Sequence, residues 1–349
     1  MLNDKAENEI CAREFSLKYV DSGEKGFDRV RRGKNFLYRN KLGKPLKDKY
    51  HLRRIKSLVI PPAWENVWIC DQPDGHVQVT GMDARGRKQY RYHAQWAQKR
   101  NEKKFSQILS FAERLPKIRA QVAKDLDSKG MGLNKVLASV VKVMEQTLIR
   151  IGNEEYAEKN KSYGLTTMRH RHVQIKGAKM IFDFKGKSGQ VHHIELHDQK
   201  LAKIVKRCQE LPGQELFSYV DDDGQIKDIS STDVNHYLQN IAGADVTAKD
   251  FRTWGGTVQT ALFLKDKNPP PSKTEMKKIL LQAVQHASSE LGNTVAVCRK
   301  YYIHPGVFSC FEDGHMKKIY FRSQKNLPRK SKGLSREEVF TKHLLETLA

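Results

Sequence analysis

The chain has 349 residues, of which 38% are hydrophobic and 30% charged, so it can form a substantial core and extensive disorder is not expected. Its net charge of +23 favours a polyanionic partner, with a ribosome-associated or merely basic housekeeping protein as the alternative. The five cysteines are widely spaced and include no C-x-x-C pair, which argues against a disulfide framework and a zinc site. The polar N-terminus and the lack of a long apolar stretch predict neither a leader nor a membrane span, and so a cytoplasmic protein.

The first part of the chain has the pattern of a small antiparallel sheet. Residues 1–12 are predicted to form a flexible polar tail, and residues 13–97 a β-rich N-terminal domain. Short strand-like runs such as FSLKYV, FLYRN, VWIC and HVQVTGMD are each followed by Gly- or Asp-containing turns, as hairpins require. A short basic helix in KDKYHLRRIKS is predicted to end before Pro61-Pro62.

From residue 98 to residue 325 the spacing of apolar residues is mainly helical, which predicts a larger helical domain. An apolar helix is expected over 131–152, ending at Gly152. Three strands, in HVQI, KMIFDF and VHHIEL, interrupt the helices, and DDDG at 221–224 is typical of a hairpin turn. Capping-box spacing predicts four helix starts, at Ser230–Asp233, Thr247–Asp250, Ser272–Glu275 and Ser335–Glu338.

Two charged stretches suggest connections between these parts. The run QKRNEKK, near 95–105, is suited to a flexible link between two lobes. Residues 326–349 are predicted to be a basic linker followed by a C-terminal helix. The fold class expected from these patterns is α+β, with a small β-rich N-terminal domain and a larger helical domain carrying a three-stranded insertion.

The residues themselves narrow the possible chemistry on DNA. No cluster of acidic residues suggests paired metal ions and no P-loop is present, so neither a metal nor a nucleotide cofactor is expected. A metal-free route is attack by a tyrosine, with arginines holding the phosphate oxygens and an acid protonating the leaving oxygen. Composition cannot select the groups, because the chain has 12 tyrosines and 63 lysines plus arginines.

Five segments, in order, resemble the compact bacterial and poxvirus-type DNA topoisomerases IB. The resemblance covers about residues 25 to 310. The segments are RRGKNFLYRN with IPPAWENVWIC, GMDARGRKQYRYH, IRIGNEEYAEKNKSYGLTTMRHRHV, KGKSG after a strand, and KDFRTWGG with LGNTVAVCRKYYIHP. Each segment alone is a weak signal, whereas all five in this order are highly specific.

The resemblance implies a catalytic role for five residues. Arg150 and Arg252 match the two arginines that clamp the phosphate, and Lys187 matches the hairpin lysine that acts as general acid. Asn293 stands where many relatives carry histidine; its amide can still donate one hydrogen bond to a phosphate oxygen, but without an imidazolium charge. Tyr302 matches the nucleophile. Tyr301 is its competitor, because only one of two adjacent residues can face the phosphate.

The resemblance also implies residues that bind DNA without taking part in the chemistry. Alternation along the GRKQYRYH strand predicts Lys88, Tyr90 and Tyr92 on one face. Tyr156 and the HRH run at 170–172 are expected to approach phosphates, whereas His192 and His193 cannot both face inward and are not assigned. The family's major-groove segment corresponds here to Arg87, Lys88, Gln89, Tyr90 and Tyr92.

Together these features predict a monomeric type IB DNA topoisomerase, an isomerase that closes as a two-lobed clamp around double-stranded DNA in the bacterial nucleoid. It would relax supercoils through a 3′-phosphotyrosyl intermediate without ATP or metal. A tyrosine recombinase is the first alternative, although such enzymes carry histidine where Lys249 precedes Arg252 in KDFR. An inactive DNA-binding scaffold is the second alternative.

Overall fold

A computed structural model describes residues 2–243, 246–325 and 333–348 of the chain. The chain divides into two compact units, Met1–Lys104 and Phe105–Ala349. Most of the predicted basic linker, residues 326–332, lies outside the described residues. None of the helices within the described ranges has both the length and the apolar character needed to cross a bilayer.

An antiparallel five-stranded sheet forms the centre of the first unit. Its strands follow the order β2-β1-β3-β4-β5 across the sheet. The small core beneath the sheet contains Phe27, Ile55, Val67, Ile69 and Val79. The elements are α1 (Leu2–Glu14), β1 (Phe27–Arg32), β2 (Asn35–Arg39), α2 (Lys49–Ser57), β3 (Glu65–Ile69), β4 (Val77–Met82), β5 (Lys88–Tyr92) and the start of α3 (Ala94–Asp127).

The N-terminal segment differs from the sequence prediction. Helix α1 occupies the predicted flexible tail, because Cys11 and Ala12 are buried in a small cluster with Trp96. FSLKYV follows α1 and does not form a strand. Helix α3 runs without a break through the predicted flexible link at 95–105. Polar composition alone did not reveal that one face of these segments packs against other buried residues. The predicted domain boundaries stay a prediction.

The second unit is mainly helical, as the sequence predicts. Its three-stranded antiparallel sheet, in the order β6-β7-β8, and the β9–β10 hairpin at DDDG are confirmed. The elements are α4 (Leu133–Thr147), α5 (Glu154–Asn160), β6 (Val173–Lys176), β7 (Lys179–Lys185), β8 (Val191–His197), α6 (Gln199–Gln209), β9 (Ser218–Val220), β10 (Ile226–Asp228), α7 (Ser231–Ala242), α8 (Ala248–Leu264), α9 (Lys273–Leu291), α10 (Val295–Tyr301), α11 (Pro305–Glu312), α12 (Met316–Lys325) and α13 (Arg336–Leu348).

Helix α4 ends five residues before the predicted end at Gly152. The Thr147 hydroxyl donates to the Val143 carbonyl and accepts from the Ile149 amide, and Leu148 adopts a left-handed conformation with a φ of 53°. This conformation is unfavourable for a residue with a Cβ, by about 1 kcal/mol. It turns the chain out of the helix, so that Arg150 lies on an extended segment.

Candidate active site

Two adjacent tyrosines at the end of α10 face different surroundings. Tyr301 is 37% exposed, and the Lys300 ammonium lies 5.2 Å from the centre of its ring. Tyr302 instead packs against the main core of the second unit. The side chains of Arg150 and Arg252 both lie close enough to the Tyr302 hydroxyl for that group to raise their pKa values. The two predicted clamp arginines therefore meet at Tyr302.

Arg252, in the second turn of α8, is held in a buried pocket of carbonyl groups. Its side chain is only 4% exposed, and Nη2 donates to the Leu291 carbonyl at 2.8 Å. Nη1 donates to the Leu148 carbonyl, which the left-handed backbone of that residue turns toward α8. The guanidinium carbon lies 5.2 Å from the centre of the Tyr302 ring. Burial and then the charge of Arg150 lower the pKa of Arg252, but arginine remains charged at neutral pH.

Asn293 connects the two arginines. Gly292 caps α9 in a left-handed conformation, and Asn293 follows it directly. The Asn293 Oδ1 atom accepts a hydrogen bond from Arg150 and a longer one, at 3.5 Å, from Arg252. Among the described residues, Asn293 Nδ2 and Arg252 Nε are buried donors without a partner. Buried donors are normally paired, so these two atoms are suited to an anionic ligand.

Lys187 completes the set from the tip of the β7–β8 hairpin. It is exposed, and it lines one small cleft together with Arg150 and Arg252. Ser188 beside it has a φ of 65°, which forms the tight turn. The structure thus brings all five predicted catalytic residues into the second unit, from the α4–α5 segment, the hairpin, α8, and the ends of α9 and α10.

His192 also lines this cleft, although the sequence analysis left it unassigned. A signal in the sequence could have placed it. His192 lies on the same face of β8 as Ile194 and Leu196, whereas His193 lies on the other face with Glu195. The neighbouring strand confirms this alternation, because His192 lies opposite the buried Phe184.

A buried ionic network supports α8 from behind. Glu338, on α13, is 8% exposed, and its Oε1 accepts from Trp254 Nε1 at 3.0 Å. Arg119, on α3, donates to both Glu338 oxygens, at 2.7 and 2.8 Å, and also pairs with Glu145 on α4. Burial would raise the pKa of Glu338, but the hydrogen bonds and charge of Arg119 outweigh it and hold that pKa below its ordinary value. The network therefore ties α13 to the helices that precede Arg150 and carry Arg252.

The predicted DNA-binding strand lies in the first unit. Exposure alternates along β5, so Lys88, Tyr90 and Tyr92 share one face as predicted, and the two tyrosine rings stack at 5.9 Å. Gln89 faces the other way, where its Nε2 donates to Asp83 at 2.9 Å. Arg87 also pairs with Asp83, and its hydrogen bond lowers the pKa of that carboxyl to about 2.

The remaining predicted phosphate contacts have mixed surroundings. Tyr156, on α5, is 49% exposed. His172, in the HRH run, is buried against Tyr163 with its Nδ1 accepting from the Arg169 amide, whereas Arg171 is exposed. Within the described residues, no group of three or more His, Cys, Asp or Glu side chains is placed to hold a metal ion.

Comparison with known proteins identifies the family. A family model for the catalytic core of eukaryotic DNA topoisomerase I matches residues 93–325, and one for the N-terminal domain of bacterial DNA topoisomerase IB matches residues 35–83. The chain belongs to the type IB DNA topoisomerase family. The predicted family, enzyme class and α+β fold are thus confirmed.

Viral relatives agree with this assignment. The chain is 34% identical to a DNA topoisomerase 1B of Acanthamoeba polyphaga mimivirus, over 72% of this chain and 77% of the viral protein. It is 22% identical to the DNA topoisomerase 1B of vaccinia virus strain Copenhagen, over 75% of this chain and 81% of that protein. A DNA topoisomerase 1 of rabbit fibroma virus is 24% identical over 71% of this chain and 78% of its own length. The family implies DNA as the partner, whereas the predicted monomer and nucleoid location stay predictions.

Proposed function

We propose that this chain relaxes supercoiled DNA by cutting one strand with Tyr302 and resealing it. The Tyr302 oxygen forms a bond to phosphorus, and the bond from phosphorus to the 5′ oxygen breaks. The protein is then joined to the 3′ phosphate, and the free end can rotate. Attack by the 5′ hydroxyl on the phosphotyrosyl bond reverses the reaction. Each step exchanges one phosphodiester for another, so no ATP is needed.

The other four residues would act on the charge that develops at phosphorus. Arg150 and Arg252 present planar guanidinium groups, which hold two non-bridging oxygens and remain protonated. The Asn293 amide adds a neutral donor. Lys187 would give its proton to the departing 5′ oxygen and recover one when that oxygen attacks. Removing one such preorganised donor typically slows a reaction by about 100- to 1000-fold.

The observation that carries this proposal is the convergence of Arg150 and Arg252 on the side chain of Tyr302. A tyrosine that only packs in a core has no need of one buried and one half-buried guanidinium group near its hydroxyl. Because burying a charge without a partner is unfavourable, such an arrangement favours a site built for an anion. Arg252 Nε and Asn293 Nδ2 are two of the buried donors that have no partner in the described structure, and a phosphate oxygen at this site would satisfy them.

The test is relaxation of supercoiled plasmid in EDTA without ATP, with recovery of the covalent protein–DNA adduct. Wild type and Tyr301→Phe should relax the plasmid and form the adduct, whereas Tyr302→Phe should bind DNA and do neither. Adduct formation by Tyr302→Phe but not by Tyr301→Phe would move the nucleophile to Tyr301. Wild type that binds the plasmid and leaves it supercoiled in EDTA would refute the proposal. Strand exchange between two labelled duplexes would favour a recombinase.

A further inference from the structure

His192 has a defined position in the cleft, set by the strand that carries it. Its ring stacks on Phe184, with the ring centres 4.9 Å apart and the planes at 14°. On the cleft side it is close enough to Arg150 and Arg252 for their charges to act on it. His193, the next residue, faces the opposite side of the strand and pairs with Asp183 at 2.6 Å. The two adjacent histidines thus have entirely different surroundings.

Two glycines fix the His192 ring beside the proposed catalytic residues. A Cβ on Gly186, which precedes Lys187, would lie 2.7 Å from the ring. A Cβ on Gly292, which precedes Asn293, would overlap the Cε1 atom of His192. Real Cβ atoms do not approach this closely, so only glycine leaves room for the ring at either position. The imidazole therefore fills the space between the hairpin tip and the end of α9.

The ring is available to a ligand. Among the described residues, no hydrogen bond to either His192 ring nitrogen is formed. Burial, and then the charges of Arg150 and Arg252, lower the pKa of His192, so the imidazole is neutral near pH 7. A neutral imidazole still carries one N–H donor. A phosphate in this cleft would accept that hydrogen bond next to those from the two arginines.

We propose that His192 is a further catalytic residue, whose imidazole N–H donates to a non-bridging oxygen of the phosphate held by Arg150 and Arg252. This proposal rests on the function proposed above. It also accounts for Asn293. Many of the relatives that the chain resembles carry a histidine at that position, and here the imidazole would come from His192 on β8 instead. The ring reaches the same corner of the site, because it contacts Gly292, the residue adjoining Asn293.

Two substitutions of similar size distinguish the effect of an N–H donor at His192 from the effect of filling the space of its ring. His192→Gln keeps an N–H donor on an unbranched side chain, and His192→Met has nearly the same shape without a donor. The measurement is the single-turnover rate of adduct formation, at saturating protein, on a duplex whose short downstream fragment, which carries the released 5′ hydroxyl, dissociates after cleavage. We expect His192→Gln to stay within about 10-fold of wild type and His192→Met to fall by about 100-fold. His193→Met, on the outer face of the strand, is the matched control and should cleave like wild type.

Several outcomes would overturn the proposal. Equal rates for the folded Gln and Met variants, whether both are fast or both are slow, would show that the donor makes no difference and that the ring only packs. Thermal midpoints and duplex binding of the two variants, measured alongside, should agree, so that a difference in rate reports the donor. If wild type itself forms no adduct, the proposed function fails; if wild type cleaves and His192→Met cleaves equally fast, only the role of His192 fails.

Discussion

His304 lies two residues beyond Tyr302 and should make this part of the chain sensitive to acid. Its backbone amide donates to Thr257 Oγ1 on α8 at 3.1 Å, and its Nδ1 accepts from the Gly306 amide at 3.0 Å, which caps α11. The ring packs edge-on against Phe105, with the ring centres 5.4 Å apart. An Nδ1 that accepts a hydrogen bond cannot carry a proton, so protonation of His304 would break the cap.

The size of the effect follows from the pKa. Burial lowers the pKa of His304 from 6.5 to about 4. Between these two values the unfolded chain binds the proton more readily than the folded one, so the free energy of unfolding falls as pH falls through this window. A difference of about 2.5 pH units, at about 1.36 kcal/mol each, corresponds to at most about 3 kcal/mol. Well above pH 6.5 both states are neutral at this residue and the effect is absent.

The substitution that isolates this effect is His304→Asn. Asparagine is a good N-cap and does not titrate, so it should keep the α11 cap at every pH. Urea unfolding at about pH 7 and about pH 4 should show that the variant loses about 2 to 3 kcal/mol less stability than wild type. His236→Asn, on the exposed face of α7, is the control and should follow wild type. The same pH dependence in wild type and His304→Asn would refute the reasoning.

Three further substitutions test other parts of the site. Glu338→Gln removes the charge opposite Arg119 and should lower the free energy of unfolding by about 2 kcal/mol at neutral pH. Because the pKa of folded Glu338 is lowered, this deficit should shrink as pH falls below about 4.5, where the unfolded wild-type chain takes up a proton that folded Glu338 resists; a constant deficit would argue against the ion pair. Gly292→Ala places a Cβ against His192 and should slow adduct formation while duplex binding persists; an unchanged rate would contradict the close contact. Arg252→Lys loses the planar fork and should slow adduct formation by about 100-fold or more, so a wild-type rate would rule out a clamp role.

The sequence predicted those elements whose signals are local. The β6–β8 strands alternate strongly and end in Gly-containing turns, and the capping residues Ser230 and Asp233 form the predicted box at the start of α7. Helix α1 was missed because its stability depends on burying Cys11 and Ala12 against distant residues. Its own pattern is only weakly amphipathic, and tertiary packing decides such cases.

The resemblance predicted which residues form the site, but nothing in the sequence predicted how they are arranged in space. No local pattern shows that Leu148 adopts a left-handed backbone and thereby presents its carbonyl to Arg252. Nor does any local pattern bring Asn293 between the two arginines, since the groups come from separate elements far apart in the chain. The alternation along β8 did predict the face on which His192 lies, because Ile194 and Leu196 mark the inner face of the strand. The role of a histidine on that face depends on the neighbouring helices, whose positions no local pattern predicts.

The ionic network at Glu338 has a consequence for the order in which the protein is made. Helix α13 follows Tyr302 in the chain, so the ribosome completes it after every proposed catalytic residue has emerged. Until α13 docks, Trp254 lacks its acceptor and Arg119 lacks the carboxylate to which it donates two hydrogen bonds. Helix α8, which carries Arg252, is therefore secured only late in synthesis. A nascent or prematurely terminated chain that stops before Glu338 is therefore not expected to form the proposed covalent adduct.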